Sequence, residues 1–258
     1  MAKAQYGLDS FPEGRRCYEL LQGRSERCPF CRVPELLANP DLGQITFEQH
    51  NDYWNRTFIV SSGLMDWEDG RKVHVEYSLD ITEHKKNQTQ LEHFATTDAL
   101  TGVLNRNALI HKLKCVLHDA HQSQQTVSLA FVDVDKLKQA NDLYGHSIGD
   151  ELLLKTVEAI RGYVRTDDVV GRLGGDEFVI VFPQCRKNMA FSRMNRARNR
   201  LARNRLPSGE SMTFSFGVAE NNELTYSDND AYLSQLIDIA DSRMREFKLA
   251  TVPEKDIR

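Results

Sequence analysis

Apolar and polar positions along this chain fall into two rhythms. Between His146 and Val164, the residues Leu153, Val157, Ile160 and Val164 recur at spacings of four, three and four, which places them on one buried helical stripe. Helical stretches are also predicted over 105–122, 188–205 and 230–247, and strands over 127–133, 169–173, 178–182 and 211–219. Helices interspersed with antiparallel strands indicate an α+β domain, a central sheet covered by helices. The first eighty residues read differently. Three strand-like runs stand out there, 44–50, 53–61 and 72–79, with a turn at Asp69-Gly70 before the last. Residues 82–97 are polar and free of Gly and Pro, with Leu91, Phe94 and Ala95 as the apolar positions, and read as a connecting helix. Its few apolar turns do not separate a coiled-coil helix from a plain linker.

Composition narrows the class. A chain of 258 residues suits one large or two modest domains. A net charge of −4 and a pI near 6.1 argue against bulk nucleic-acid binding. No apolar run approaches the ~20 residues that span a bilayer, and Met1 to Arg16 lacks a secretory apolar segment. Five cysteines, an odd count, fit reduced thiols better than a disulfide framework. The expectation is a soluble, cytoplasmic protein.

The chemistry concentrates at Arg172-Leu173-Gly174-Gly175-Asp176-Glu177-Phe178, a glycine turn between two apolar strands. A hairpin explains the glycines. It does not explain two adjacent carboxylates, whose mutual repulsion is relieved only by solvent or a cation. The stretch resembles the signature of the GGDEF family, the diguanylate cyclases that form cyclic di-GMP from GTP. Further stretches resemble that family in the same order: Asp98 to Arg106; Asp133-Val134-Asp135-Lys136-Leu137-Lys138 followed by Asn141-Asp142, Gly145-His146 and Gly149-Asp150; Ser215 to Ala219; and Ala240-Asp241 with Lys248.

The resemblance implies a fold like the nucleotidyl cyclase and polymerase palm over 98–258. It implies Mg²⁺-dependent attack of a ribose 3′-hydroxyl on the α-phosphate of a second GTP, with Mn²⁺ as an alternative ion. Asp133, Asp176, Glu177 and the backbone carbonyl of Val134 match the metal positions, and Asp176 and Glu177 the catalytic ones. Asp135 shares a strand face with Asp133 and ranks below it, as a cap or supporting group. Gly174, Gly175, Lys138 and Lys248 match phosphate contacts, and Asn141 and Asp150 match guanine contacts. A carboxylate at 150 suits guanine's paired N–H donors, although Asn and Asp also serve as helix caps. Arg165 and Asp168 match an inhibitory Arg-x-x-Asp site for the product, with Arg196 as a second contact; a surface ion pair is the plainer alternative. The chain departs from the family at Leu137, Arg245 and Val252, the last standing where an arginine is usual, which implies weaker GTP binding.

Residues 1–81 resemble the later part of a PAS sensor domain, through Cys17 to Gly23, Cys28-Pro29-Phe30-Cys31 and the exit stretch Asp80 to Lys86. Cys17, Cys28 and Cys31 with a histidine such as His50 are zinc-type ligands, but one Cys-x-x-Cys pair favours thiols without metal. The expected whole is a partial PAS-like sensor region (1–81), a signalling helix (82–97) and a cyclase domain (98–258) that works as a homodimer, each copy holding one GTP. The alternative is a degenerate module that binds GTP or cyclic di-GMP without catalysis.

Overall fold

Strand pairing follows the alternation of the sequence in both halves of the chain. The structure, a computed structural model, describes residues 14–226 and 229–251. The chain divides into two units, 1–91 and 92–258, and each is described by itself.

In the first unit, two short helices, α1 (Cys17–Gln22) and α2 (Val33–Ala38), precede an antiparallel sheet of β1 (Gln44–Asn51), β2 (Arg56–Asp66) and β3 (Lys72–Asp80) in that order. One residue in two along β1 and β2 turns inward. Phe58 and Val60 form a small core with Leu21, Phe47 and Trp54. The Asn51 side-chain amide and the Trp54 indole both donate to the Leu21 carbonyl, at 2.7 and 3.1 Å, and tie α1 to the β1–β2 turn. The Asp80 carboxylate accepts from the backbone N–H of Thr82 at 2.9 Å, at the start of α3 (Thr82–Thr96). Leu91 and Phe94 on α3 are exposed.

The second unit continues with α4 (Arg106–Gln122), β4 (Val127–Val134), α5 (Leu137–Tyr144), α6 (His146–Arg161), β5 (Val169–Gly174), β6 (Glu177–Pro183), α7 (Lys187–Leu201), β7 (Phe214–Glu220) and α8 (Asn229–Thr251). Its sheet runs β5-β6-β4-β7, all antiparallel, with β4 buried at the centre. Period two splits the core. Ala130, Val132, Phe178, Ile180 and Phe216 pack on one face with Leu152 and Ile160 of α6 and Met194 of α7. Leu129, Phe131, Val179 and Val181 pack on the other with Leu109 and Leu113 of α4 and Leu236 and Ala240 of α8. This is the palm-like α+β arrangement expected above. Gly217 lets α8 lie directly on β7, since a Cβ there would sit 2.2 Å from the Ala240 carbonyl oxygen.

Several boundaries differ from the sequence reading. α6 stops at Arg161, where Gly162 follows, so Val164 packs against the core from a loop. α7 stops at Leu201, whose carbonyl accepts from the Asn204 backbone and side-chain nitrogens. β7 begins at Phe214 rather than 211, after the turn through Pro207 and Gly209. Residues 137–144, where no helix was expected, form one. Among the described residues no helix is long and apolar enough to cross a membrane.

Candidate active site

The register of β4 against β6 creates the site. Asp133 lies directly opposite Glu177, and the backbone N–H of Val134 donates to the Asp176 carbonyl at 3.0 Å. Register and turn thereby place Asp133, Asp176 and Glu177 at one end of the sheet. Burial pushes the Asp133 carboxyl above its usual range; Lys248 opposes that shift, while the charges of Asp176 and Asp135 add to it. Burial likewise raises Glu177, followed by the charges of Asp176 and Asp241, against Arg106 and Arg245. The Lys248 ammonium rests 2.6 Å from Asp133 Oδ1, with both side chains largely buried. The Asp176 carboxylate has no hydrogen-bond or ion-pair partner among the described residues, and only the carbonyl of Asp176 is engaged, by Val134.

Asp135 supports this cluster. It is 3% exposed, and its two oxygens accept from Thr213 Oγ1 at 2.6 Å and Ser215 Oγ at 2.7 Å. Those hydroxyls fasten the ends of β4 and β7 together.

The Gly174-Gly175 turn is held by a residue the sequence reading did not single out. Arg172 donates through Nε and Nη2 to the Gly175 carbonyl, at 3.0 and 2.6 Å. Its Nη1 reaches both oxygens of Asp98, at 3.1 and 3.2 Å. Gly175 adopts φ 49°, a region costly for other residues. Burial works against ionisation of Asp98, but the Thr101 donors and Arg172 outweigh it and hold the carboxyl below its usual range. The 98–106 stretch thus braces the turn. Leu104 also bridges Gly171 at the edge of β5, with its N–H donating to Val170 at 3.1 Å.

Asn141 on α5 faces Gly149 on α6. Its Oδ1 is buried without a hydrogen-bond partner among the described residues, and a Cβ on Gly149 would lie 1.9 Å from it. Asp150 and Lys138 are exposed on the same two helices. Asp168 accepts from the Arg165 backbone N–H at 2.6 Å and pairs with Arg193 at 3.0 Å, its own side chain 2% exposed. The structure therefore brings Arg193 to Asp168, while Arg196 points outward on α7 and the Arg165 residue is exposed. Leu137 packs against the core, and Arg245 pairs with Asp241. Val252 lies outside the described residues.

The donor set at the acids is oxygen throughout, suited to a hard divalent cation, and the Lys248 ammonium stands against Asp133. Among the described residues, no three His, Cys, Asp or Glu side chains are already gathered as a metal site. In the first unit, Cys17, Cys28 and Cys31 line a cavity of about 60 Å³ with His74 and Glu76. His50 instead faces Thr57 and Asp52. Burial pushes the Cys17 and Cys28 thiols up, aided by Glu76 and Cys31 at Cys17 and by Cys17 and Cys31 at Cys28, where Arg24 opposes the shift.

Residues 95–252, more than half of the chain, match the family described as diguanylate cyclase, GGDEF domain. The diguanylate cyclase DgcM of Escherichia coli K12 is 39% identical over 146 residues, covering 56% of this chain and 36% of that protein. The chain thus spans about a third of that relative's length. The structure of the diguanylate cyclase SiaD from Pseudomonas aeruginosa, solved with its activator SiaC, aligns at a TM-score of 0.55 and 30% identity, over 66% of this chain and 64% of that one. The GGDEF domain of DgcB from Caulobacter crescentus, in complex with c-di-GMP, aligns at 0.54 and 25% identity, over 61% and 92%.

Proposed function

Since the chain belongs to the diguanylate cyclase GGDEF-domain family, we propose that it condenses two molecules of GTP into cyclic di-GMP and two pyrophosphates. The observation that carries this reading is the pairing of Asp133 against Glu177 with Asp176 at the adjoining turn. In each of two steps a 3′-oxygen–phosphorus bond forms, the bond to pyrophosphate breaks, and the hydroxyl proton leaves. Asp133, Glu177 and the Val134 carbonyl hold a divalent cation, Mg²⁺ or Mn²⁺, which when bound spreads the negative charge developing on the phosphate. Asp176 takes the hydroxyl proton or adds to the cation's ligands. The open turn at Gly174 and Gly175, where a Cβ would meet nothing within 4 Å, admits a phosphate against the backbone. Lys138 and Lys248 neutralise phosphate charge. Asn141 and Asp150 read guanine, supported by the unpaired Asn141 acceptor.

Each domain offers one such site, so ring closure requires two copies face to face. The exposed Leu91 and Phe94 on α3 support a helix that pairs with its counterpart. The first unit is then a PAS-like input that sets the geometry of the pair. Arg165 and Asp168, with Arg193 or Arg196, form an inhibitory site for cyclic di-GMP. The odd count of five cysteines supports a reducing, cytoplasmic setting.

The test is incubation of the purified chain with GTP and Mg²⁺, with products identified by mass. Cyclic di-GMP from the parent and none from Asp176→Ala is the expected result. Binding of GTP or cyclic di-GMP with no product from the parent would replace the enzyme by a nucleotide-binding module.

A further inference from the structure

We propose that Lys248 is a built-in substitute for the site's cation: in the nucleotide-free protein its ammonium holds the divalent ion's place on Asp133, and it transfers to a substrate phosphate as ion and nucleotide arrive together. The inference rests on the reading of this site as a divalent-cation phosphoryl-transfer centre, and goes beyond it by assigning Lys248 two successive partners.

The geometry is specific. Lys248 stands near the end of α8 and Asp133 near the end of β4, 115 residues apart, yet Nζ lies 2.6 Å from Oδ1. The two side chains are only 23% and 15% exposed, so this is not a loose surface pair. Asp133 is crowded by the like charges of Asp176 and Asp135 in a poorly solvated position. Lys248 supplies a positive charge directly against this acidic group.

The same contact obstructs the metal. A hard divalent ion binds a carboxylate oxygen at roughly 2.1 Å, and an ammonium on that oxygen both occupies the approach and repels the incoming charge. A nucleotide phosphate resolves the conflict, because it offers Lys248 another anion and releases Asp133. Ion and nucleotide then bind with positive coupling. By linkage, each raises the other's affinity by the same factor.

The experiment uses the full chain and Mn²⁺ as the probe, read by electron paramagnetic resonance, with and without a non-hydrolysable α,β-methylene GTP analogue. The parent is expected to bind Mn²⁺ roughly tenfold more tightly with the analogue. Lys248→Met is expected to bind Mn²⁺ roughly tenfold more tightly than the parent without nucleotide, and to lose most of the analogue's effect. Circular dichroism checks that the variant is folded. Unchanged or weaker Mn²⁺ binding by folded Lys248→Met would overturn the inference while leaving the cyclase reading intact. No Mn²⁺ binding by either protein, even with the analogue, would overturn both. Should the variant fail to fold, the parent carrying ¹³C-dimethylated lysines decides the matter. The Lys248 methyl resonance must shift when Mg²⁺ and analogue are added together, and its failure to move would refute the transfer.

Discussion

Replacing Arg172 tests whether the glycine turn is positioned by its brace or by its own backbone. The guanidinium donates twice to the Gly175 carbonyl and pairs with both oxygens of Asp98, and its side chain is 14% exposed. Lysine keeps the charge but not the fork, so it serves one partner at a time. A charge-assisted hydrogen bond contributes about 1.5–3 kcal/mol. These bonds share one group and do not add, so Arg172→Lys should cost about 2 kcal/mol. Arg172→Ala should cost about 3 kcal/mol, because Asp98 keeps its Thr101 donors and is not left wholly unpaired. Urea unfolding measures both. A double-mutant cycle with Asp98→Asn should return a coupling of about 1.5 kcal/mol. The effect on turnover should be larger than stability implies. Asp176 and Glu177 follow Gly175 directly, and a shift of about 1 Å in reacting groups costs on the order of 10²-fold in rate. The expected result is Arg172→Lys that is folded at 25 °C yet forms cyclic di-GMP roughly a hundredfold more slowly. A folded Arg172→Lys with parental turnover would show that the turn holds its own shape and refute the reasoning.

Other substitutions separate contacts that serve the fold from those that serve the site. Gly149→Ala should push Asn141 aside while gaining helix propensity, so stability should stay within about 1 kcal/mol while KM for GTP rises roughly tenfold; an unchanged KM would remove Asn141 from the nucleotide site. Arg193→Met leaves the buried Asp168 without its guanidinium and should destabilise by about 3 kcal/mol, whereas Arg196→Met on the exposed face should stay within about 0.5 kcal/mol; equal urea midpoints for the two variants would contradict this. Arg243, against some burial and aided by Lys187, depresses the Glu223 carboxyl from 4.5 to about 2. A depressed folded pKa gives stability that is present above pH 4.5 and lost as pH falls toward 2, here about 1 kcal/mol after allowance for solvent screening. Glu223→Gln should lack that increment of acid sensitivity in urea titrations across the same window.

What the sequence made legible follows from the range of the interactions involved. The strands of both sheets were readable because alternation is local, and Leu153, Val157 and Ile160 are buried as their spacing requires. The acids at 133, 176 and 177 stood out through the family resemblance, on a strand end and a hairpin turn, and the β4–β6 register sets Asp133 opposite Glu177. The helix at 137–144 escaped because Leu137 and Ala140 supply barely one turn of apolar pattern, and because it starts from Lys136 in the left-handed region, φ 62°. The supporting contacts were illegible for a different reason. Arg172 reaches Asp98 across 74 positions, Thr213 and Ser215 reach Asp135 across 78 and 80, and Lys248 reaches Asp133 across 115. Nothing in the local pattern around Arg193 distinguishes it from Arg196 in the same arginine-rich helix; only the folded loop before β5 decides which of them meets Asp168. A motif therefore names the groups that touch substrate more readily than those that hold them in place. The latter are chosen by where distant strands happen to end, and their substitution should disturb geometry before it disturbs the fold.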